Sequence, residues 1–259
     1  MDFDLLFQKT LENIWSILLL ACLLVLGLAL TLFRTNSSFG KVKSSQPTVL
    51  IIGPANSGKT SLYTLWTNGE VSNTVTSQEP NMYKSLPIPF DSDVVAARIT
   101  IVDLPGHAKL GHLLNDALNT YSNIKGILFV IDAAAGPNGV RVAAERLFTL
   151  LLRTEQRMGG IDLMIACNKA DVFNMIPAVR MKGLLEEEIQ NIRETRSKGL
   201  GTVGASGSLE DDNEDDGSWL GGERFEFVNL DGEVSISDGS VLTNNVEHWK
   251  RWVEGVVVN

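Results

Sequence analysis

Gly53-Pro54-Ala55-Asn56-Ser57-Gly58-Lys59-Thr60 matches the spacing G-x-x-x-x-G-K-[ST]. Each residue type in that pattern has a task at a polyphosphate. Gly53 and Gly58 let the backbone curl tightly, so that the N–H groups between them, from Ala55, Asn56 and Ser57, turn inward as an anion nest. A helix starting near Thr60 and Ser61 would add the partial positive charge of its N-terminus. The Lys59 ammonium is placed to reach the β- and γ-phosphates, and the Thr60 hydroxyl to ligate Mg²⁺. The pattern predicts a nucleoside triphosphate site.

Two further groups of residues extend that chemistry. In Asp103-Leu104-Pro105-Gly106-His107, the carboxylate can hold Mg²⁺, commonly through water, and the Gly106 N–H can meet a γ-phosphate. His107 follows directly and is the candidate for a catalytic role. Between the two motifs, residues 68–81 are rich in serine and threonine without apolar periodicity. Thr76 is the candidate second Mg²⁺ hydroxyl there, with Thr74 and Ser77 as rivals. The third group is Asn168-Lys169-Ala170-Asp171. An aspartate accepts from both N1–H and the 2-amino group of guanine, a pair of donors that adenine lacks. Hydrogen bonds to an ionised partner contribute about 1.5–3 kcal/mol each, so a bidentate pair selects the base. Asn168 would brace the phosphate loop, and the Lys169 stem would pack on the purine face.

These residues need strands that end beside them. Val49-Leu50-Ile51-Ile52 reads as a buried strand entering the phosphate loop, and residues 61–66 as the helix leaving it. Residues 84–90 and 94–102 read as a hairpin turning at Asp91-Ser92-Asp93, its second strand delivering Asp103. The continuous apolar run 127–131 is a central parallel strand. Residues 140–158 have helical spacing, closed by Gly159-Gly160. The strand 163–167 runs into Asn168, and residues 177–197 form another helix. Structure resumes at Phe225-Glu226-Phe227-Val228, and the short strand 233–237 follows. That strand is expected to end at the guanine edge, where the Ser235 and Ile236 backbone would contact the base. Asn245 is expected to cap a last helix, 246–254, whose Trp249 and Val253 pack on the sheet.

Composition bounds the partners. The net charge of -9 is partly local, since Glu210, Asp211, Asp212, Glu214, Asp215 and Asp216 carry -6 of it and leave -3. Neither figure suits a phosphate-backbone binder, and no basic stripe with interleaved aromatics occurs, so direct nucleic-acid binding is not expected. Residues 199–222, rich in glycine, serine and acids, are expected to be a disordered insertion. Two cysteines make no disulfide framework. Residues 14–33 are uncharged and leucine-rich, long enough at 1.5 Å per residue to cross about 30 Å of hydrocarbon. The acidic leader and the Phe33-Arg34 flank argue for a retained anchor over a cleaved signal peptide. Arg34, Lys41 and Lys43 then stay cytosolic. The expected organisation is a short lumenal segment 1–13, a transmembrane helix 14–33, a cytosolic tether 34–46 and an α/β domain 47–259.

Taken together, the apolar anchor, G-P-A-N-S-G-K-T, T-S-Q-E-P, D-L-P-G-H, N-K-A-D and V-S-I-S resemble the β subunits of signal recognition particle receptors, fungal ones in particular. The resemblance covers essentially the whole chain. It implies a P-loop fold of Ras/Arf-like small-GTPase type: a mostly parallel six-stranded sheet with one antiparallel edge strand and helices on both faces. It implies GTP or GDP with Mg²⁺ as ligands and an endoplasmic reticulum membrane location. The implied partner is the N-terminal domain of the receptor α subunit, gripped through the switch regions by the GTP-bound form, with the ribosome or translocon nearby. Carried over, Lys59, Thr60, Thr76, Asp103, Gly106, Asn168, Asp171 and Ser235 match guanine-nucleotide positions, and His107 stands where relatives place a water-orienting glutamine or histidine. Two roles stay open: an enzyme turning over GTP, and a GTP-loaded docking module with weak GTPase chemistry. A vesicle-trafficking GTPase of Arf type is the alternative, though Met1-Asp2 lacks the lipidated glycine such proteins use.

Overall fold

The chain divides into two units, Met1–Lys43 and Ser44–Asn259. The computed structural model describes residues 46–258 of the second, apart from 73, 75–76, 91–94, 108–110, 156–158 and 203–223. The expected membrane helix 14–33, Thr76, the hairpin turn 91–93 and residues 203–222 of the acidic insertion lie outside the described residues. No helix among the described residues is long and apolar enough to cross a membrane.

Six strands form one sheet: β1 Thr48–Ile52, β2 Asn81–Ile88, β3 Ala97–Asp103, β4 Ile124–Asp132, β5 Leu163–Asn168 and β6 Val234–Asp238. Their order is β2-β3-β1-β4-β5-β6. All neighbours pair in parallel except β2 with β3. The α-helices are α1 Lys59–Asn68, α2 His112–Thr120, α3 Gly136–Thr154, α4 Ala178–Thr202 and α5 Glu247–Val258. Because side chains alternate along a strand, each central strand feeds two cores. Leu50, Phe129, Ile131, Ile165 and Cys167 pack with α2, α3 and α4 on one face. Val49, Ile51, Leu128, Val130, Met164 and Ala166 pack with α1 and α5 on the other. Trp249 and Val253 of α5 are fully buried in that second layer, as their spacing requires. This is the expected small-GTPase-like α/β architecture. β1 has β3 on one side and β4 on the other, and the carboxyl ends of strands around such a reversal are where open α/β sheets bind ligands.

Several boundaries differ from expectation. β2 begins at Asn81 rather than at 84, because Asn81 pairs with Asp103 at the sheet edge. Met82, Tyr83 and Lys84 are exposed there, so no apolar run announced the strand. α3 begins at Gly136 rather than 140, since Pro137 sits in the first turn, where no N–H is required. It ends at Thr154, before the glycines expected to close it. α4 continues to Thr202, which takes residues 199–202 out of the expected disordered insertion. Asn245 pairs its backbone with Ser240 as an isolated bridge just ahead of α5.

Candidate guanine-nucleotide site

The loop between β1 and α1 is built on conformations that only certain residues hold. Gly53 has φ 148°, and a Cβ there would lie 2.1 Å from the Val130 carbonyl oxygen of β4. Gly58 has φ 92°, and its Cβ would meet the Asn168 Nδ2 at 2.2 Å. Between them Asn56 takes φ 62°, a left-handed conformation that asparagine tolerates. The Ser57 hydroxyl donates to the Pro54 carbonyl at 3.0 Å, closing the loop from within. Gly58 is the N-cap of α1 and offers no side-chain cap, so the first amides of the helix stay open toward the loop.

Lys59 is buried, and its ammonium donates to the Pro54 carbonyl. Burial lowers its pKa to about 8, with Asp103 opposing and Arg146 adding to the shift. Thr60 donates its hydroxyl to Asp103 Oδ2 at 2.8 Å and stands 3.1 Å from the Ser77 hydroxyl. Asn81 Nδ2 donates to the same carboxylate oxygen at 3.1 Å. The other oxygen, Oδ1, is buried without a hydrogen-bond partner among the described residues. Burial raises the Asp103 pKa, against the hydrogen bonds of Thr60 and Asn81 and the charge of Lys59. An orphaned carboxylate oxygen among hydroxyls is a donor set that suits Mg²⁺, which takes one or two carboxylates and keeps water or phosphate oxygens. Of the rivals to Thr76, Ser77 therefore stands beside Thr60, whereas Thr74 pairs with the Ser61 hydroxyl at 3.1 Å. Gly106 lies against the loop, and His107 beyond it is exposed.

The base end is organised by Asn168. Its Nδ2 donates to the Ser57 carbonyl at 2.8 Å, and its Oδ1 accepts from the Val241 N–H at 3.0 Å. Lys169, at φ 67°, pairs its ammonium with Asp132 at 2.6 Å. Ser240 donates its hydroxyl to the exposed Asp171 carboxylate and accepts from the Thr243 N–H at 3.2 Å. Ala170 N–H bonds the Gly239 carbonyl at 3.0 Å.

Register sets Ser235 and Ile236, the expected base contacts, apart from the loop that reaches Asp171. Ser235 pairs with Met164 and Ile236 with Ile165, partway along the edge strand β6. The loop that reaches Asp171 is Gly239-Ser240-Val241, five residues on from the expected pair when Ser235 is set against Ser240. Asn81, Arg146 and Ser240 are residues that sequence reasoning missed. Asn81 was discoverable by extending the hairpin register to Asp103, whereas only the fold brings the other two in. The remaining residues of the phosphate loop, Asp103 and Gly106, and Asn168 with Asp171, gather at the carboxyl ends of β1, β3 and β5.

Comparison with known proteins places this geometry. The family model for the signal recognition particle receptor beta subunit matches residues 44–234. The chain is 37% identical over 244 residues to signal recognition particle receptor subunit beta of Saccharomyces cerevisiae, covering 92% of this chain and 97% of that one. Among solved structures, the signal recognition particle receptor SRb-GTP/SRX complex from Chaetomium thermophilum superposes with a TM-score of 0.64 at 29% identity, covering 82% of this chain and 99% of that one. The SRb-GDP-Mg structure from the same organism gives 0.59 at 30% identity, covering 83% and 99%. A small GTPase from Trypanosoma brucei with a bound nucleotide analogue has a TM-score of 0.50 at 15% identity, covering 83% and 98%, which is a likeness of fold alone. With its phosphate loop, its base-end aspartate and this run of relatives in agreement, the chain belongs to the signal recognition particle receptor beta subunit family.

Proposed function

We propose that this chain is the GTP-binding, membrane-anchored subunit of a signal recognition particle receptor, and that its nucleotide orders a surface for the α subunit. The observation that carries the reading is the Asn168–Ser57 hydrogen bond. It ties the strand end that leads into Asp171 to the loop that leads into Lys59. The amides of Gly53 to Gly58 and the open first turn of α1 take the phosphates, with Lys59 balancing their charge. Thr60, Asp103 and a hydroxyl from the segment holding Thr76 and Ser77 hold Mg²⁺, which when bound neutralises phosphate charge. Asp171, steadied by Ser240, accepts from guanine, and the Lys169 stem covers its face.

The Chaetomium relatives, solved with GTP and SRX and with GDP and Mg, support guanine nucleotide, Mg²⁺ and a receptor partner. The vesicle-trafficking alternative is set aside, because the relatives of substantial identity are receptor β subunits. His107 orients water for slow or partner-dependent hydrolysis, and docking is the main role. Residues 14–33 anchor the chain in the endoplasmic reticulum membrane, residues 1–13 facing the lumen and the 34–46 tether holding the GTPase domain in the cytosol.

Competition of GDP against ADP for a fluorescent guanine nucleotide tests the base. GDP should win by orders of magnitude, and Asp171→Asn should shift preference to xanthosine diphosphate, whose C2 oxygen accepts from an amide. Equal competition by ADP would overturn the reading. Capture of the α subunit by full-length protein in detergent should require GTP over GDP. Alkaline extraction of membranes should leave the chain in the pellet, and its release would remove the anchor from the proposal.

A further inference from the structure

Gly106 is held against the phosphate loop more closely than any other residue type would permit. A Cβ on it would lie 2.6 Å from the Lys59 Nζ, 2.7 Å from the Ala55 nitrogen and 2.7 Å from the Pro54 carbonyl carbon. Two ties keep it there. At the start of the segment, Leu104 N–H bonds the Ile51 carbonyl of β1 at 3.0 Å. At its end, the Gly106 carbonyl accepts from Nη2 of Arg146, a side chain of α3. Residues Asp103, Leu104, Pro105 and Gly106 between those ties are buried, whereas His107 just beyond is exposed.

The helix carrying Arg146 is packed into the core. The adjacent Leu147 and Phe148 are fully buried against the sheet, so the guanidinium is delivered from a rigid element and not from a loop. The guanidinium is partly buried, and burial lowers its pKa. Burial is the main cause of the lowered Lys59 pKa, and the Arg146 charge adds a smaller repulsion. An anion placed between two cations relieves that repulsion, and a more highly charged anion relieves more. Both effects meet where the Gly106 backbone faces Lys59 and Ala55, at the far end of the polyphosphate cradle from the base.

We propose that Arg146 is a positioning residue for the terminal phosphate: by latching the Gly106 carbonyl it holds the 103–106 segment on the phosphate loop, so that the chain prefers a nucleoside triphosphate to the diphosphate. This rests on the guanine-nucleotide reading of the site. Arg146 acts through Gly106, so the triphosphate should feel its loss and the diphosphate should not.

The test is equilibrium competition of GTP and of GDP against a fluorescent GDP analogue, using the full chain in detergent with Mg²⁺. Arg146→Ala should weaken GTP about tenfold, which is about 1.4 kcal/mol, and leave GDP within twofold. Arg146→Lys, which keeps charge and a donor without the planar fork, should recover part of the GTP preference. Should Arg146→Ala fail to fold, the lysine variant alone decides, with lowered GTP affinity and unchanged GDP affinity as the supporting result. Equal weakening of both nucleotides would reduce Arg146 to a scaffold residue and overturn the proposal, as would no change in either. A wild-type chain that binds neither nucleotide would instead sink the site reading beneath it, a result distinguishable from either of these.

Discussion

Asn168 and Ser57 lie 111 positions apart in sequence, yet the asparagine amide donates to the serine carbonyl at 2.8 Å. The same side chain receives the Val241 N–H on its other side. One residue therefore joins the phosphate loop, the base-recognition segment and the loop after β6 into a single rigid seat. It is only 3% exposed, so neither bond competes with water.

Removing that brace should cost both stability and ligand. Asn168→Ala strands the Ser57 carbonyl and the Val241 N–H without partners, at about 1–3 kcal/mol for such groups when buried. The expected readout is faster nucleotide release, about 10- to 100-fold by stopped-flow fluorescence, with a lowered melting temperature. Release at the wild-type rate would show that the bridge is incidental.

Ser240→Ala should act on base choice more than on the fold. The lost hydrogen bond leaves the Asp171 carboxylate free to rotate, and a bond to a charged group is worth about 1.5–3 kcal/mol. GDP should weaken while ADP, which makes no use of Asp171, stays unchanged, narrowing the ratio between them. A ratio equal to that of the wild type would remove Ser240 from the specificity determinants.

Mg²⁺ dependence should run through Thr60. Its hydroxyl touches Asp103, whose second oxygen has no hydrogen-bond partner among the described residues. Chelation with EDTA is expected to speed nucleotide release from the wild type, and Thr60→Ala to release fast with or without chelator. A variant still slowed by Mg²⁺ would place the ion elsewhere.

Lys59 sets a pH dependence with a definite sign. Its pKa is lowered from 10.5 to about 8 by burial, so the unfolded chain binds more protons than the folded one between those values. Stability of the nucleotide-free protein from this group therefore rises with pH across that window and is flat below it. A phosphate beside the ammonium raises its pKa again, so binding takes up a proton above about pH 8. GDP affinity should fall as pH climbs past that value, at most about tenfold per unit, and Lys59→Met should abolish the slope. Calorimetry in buffers of different ionisation enthalpy reads the proton directly. Unchanged affinity to pH 9.5 would contradict this account.

The phosphate loop and N-K-A-D were legible from residue order alone, because their chemistry depends on local spacing and on strands that are apolar throughout. Val49 to Ile51 and Leu163 to Cys167 are buried on both faces, so their composition announces them. The two-layer core was legible for the same reason, through Trp249 and Val253 at helical spacing. Ser240 and Arg146 were not, since they act on partners 69 and 40 positions away. Such pairs depend on strand register and helix placement. The strand lies within one residue of its expected place, and it is the loop after it, at Ser240, that reaches Asp171. Local sequence determined which groups could bind a nucleotide. Tertiary packing decided which of them face one another, because hydrogen bonds reach about 3 Å and only the assembled sheet sets distances that finely.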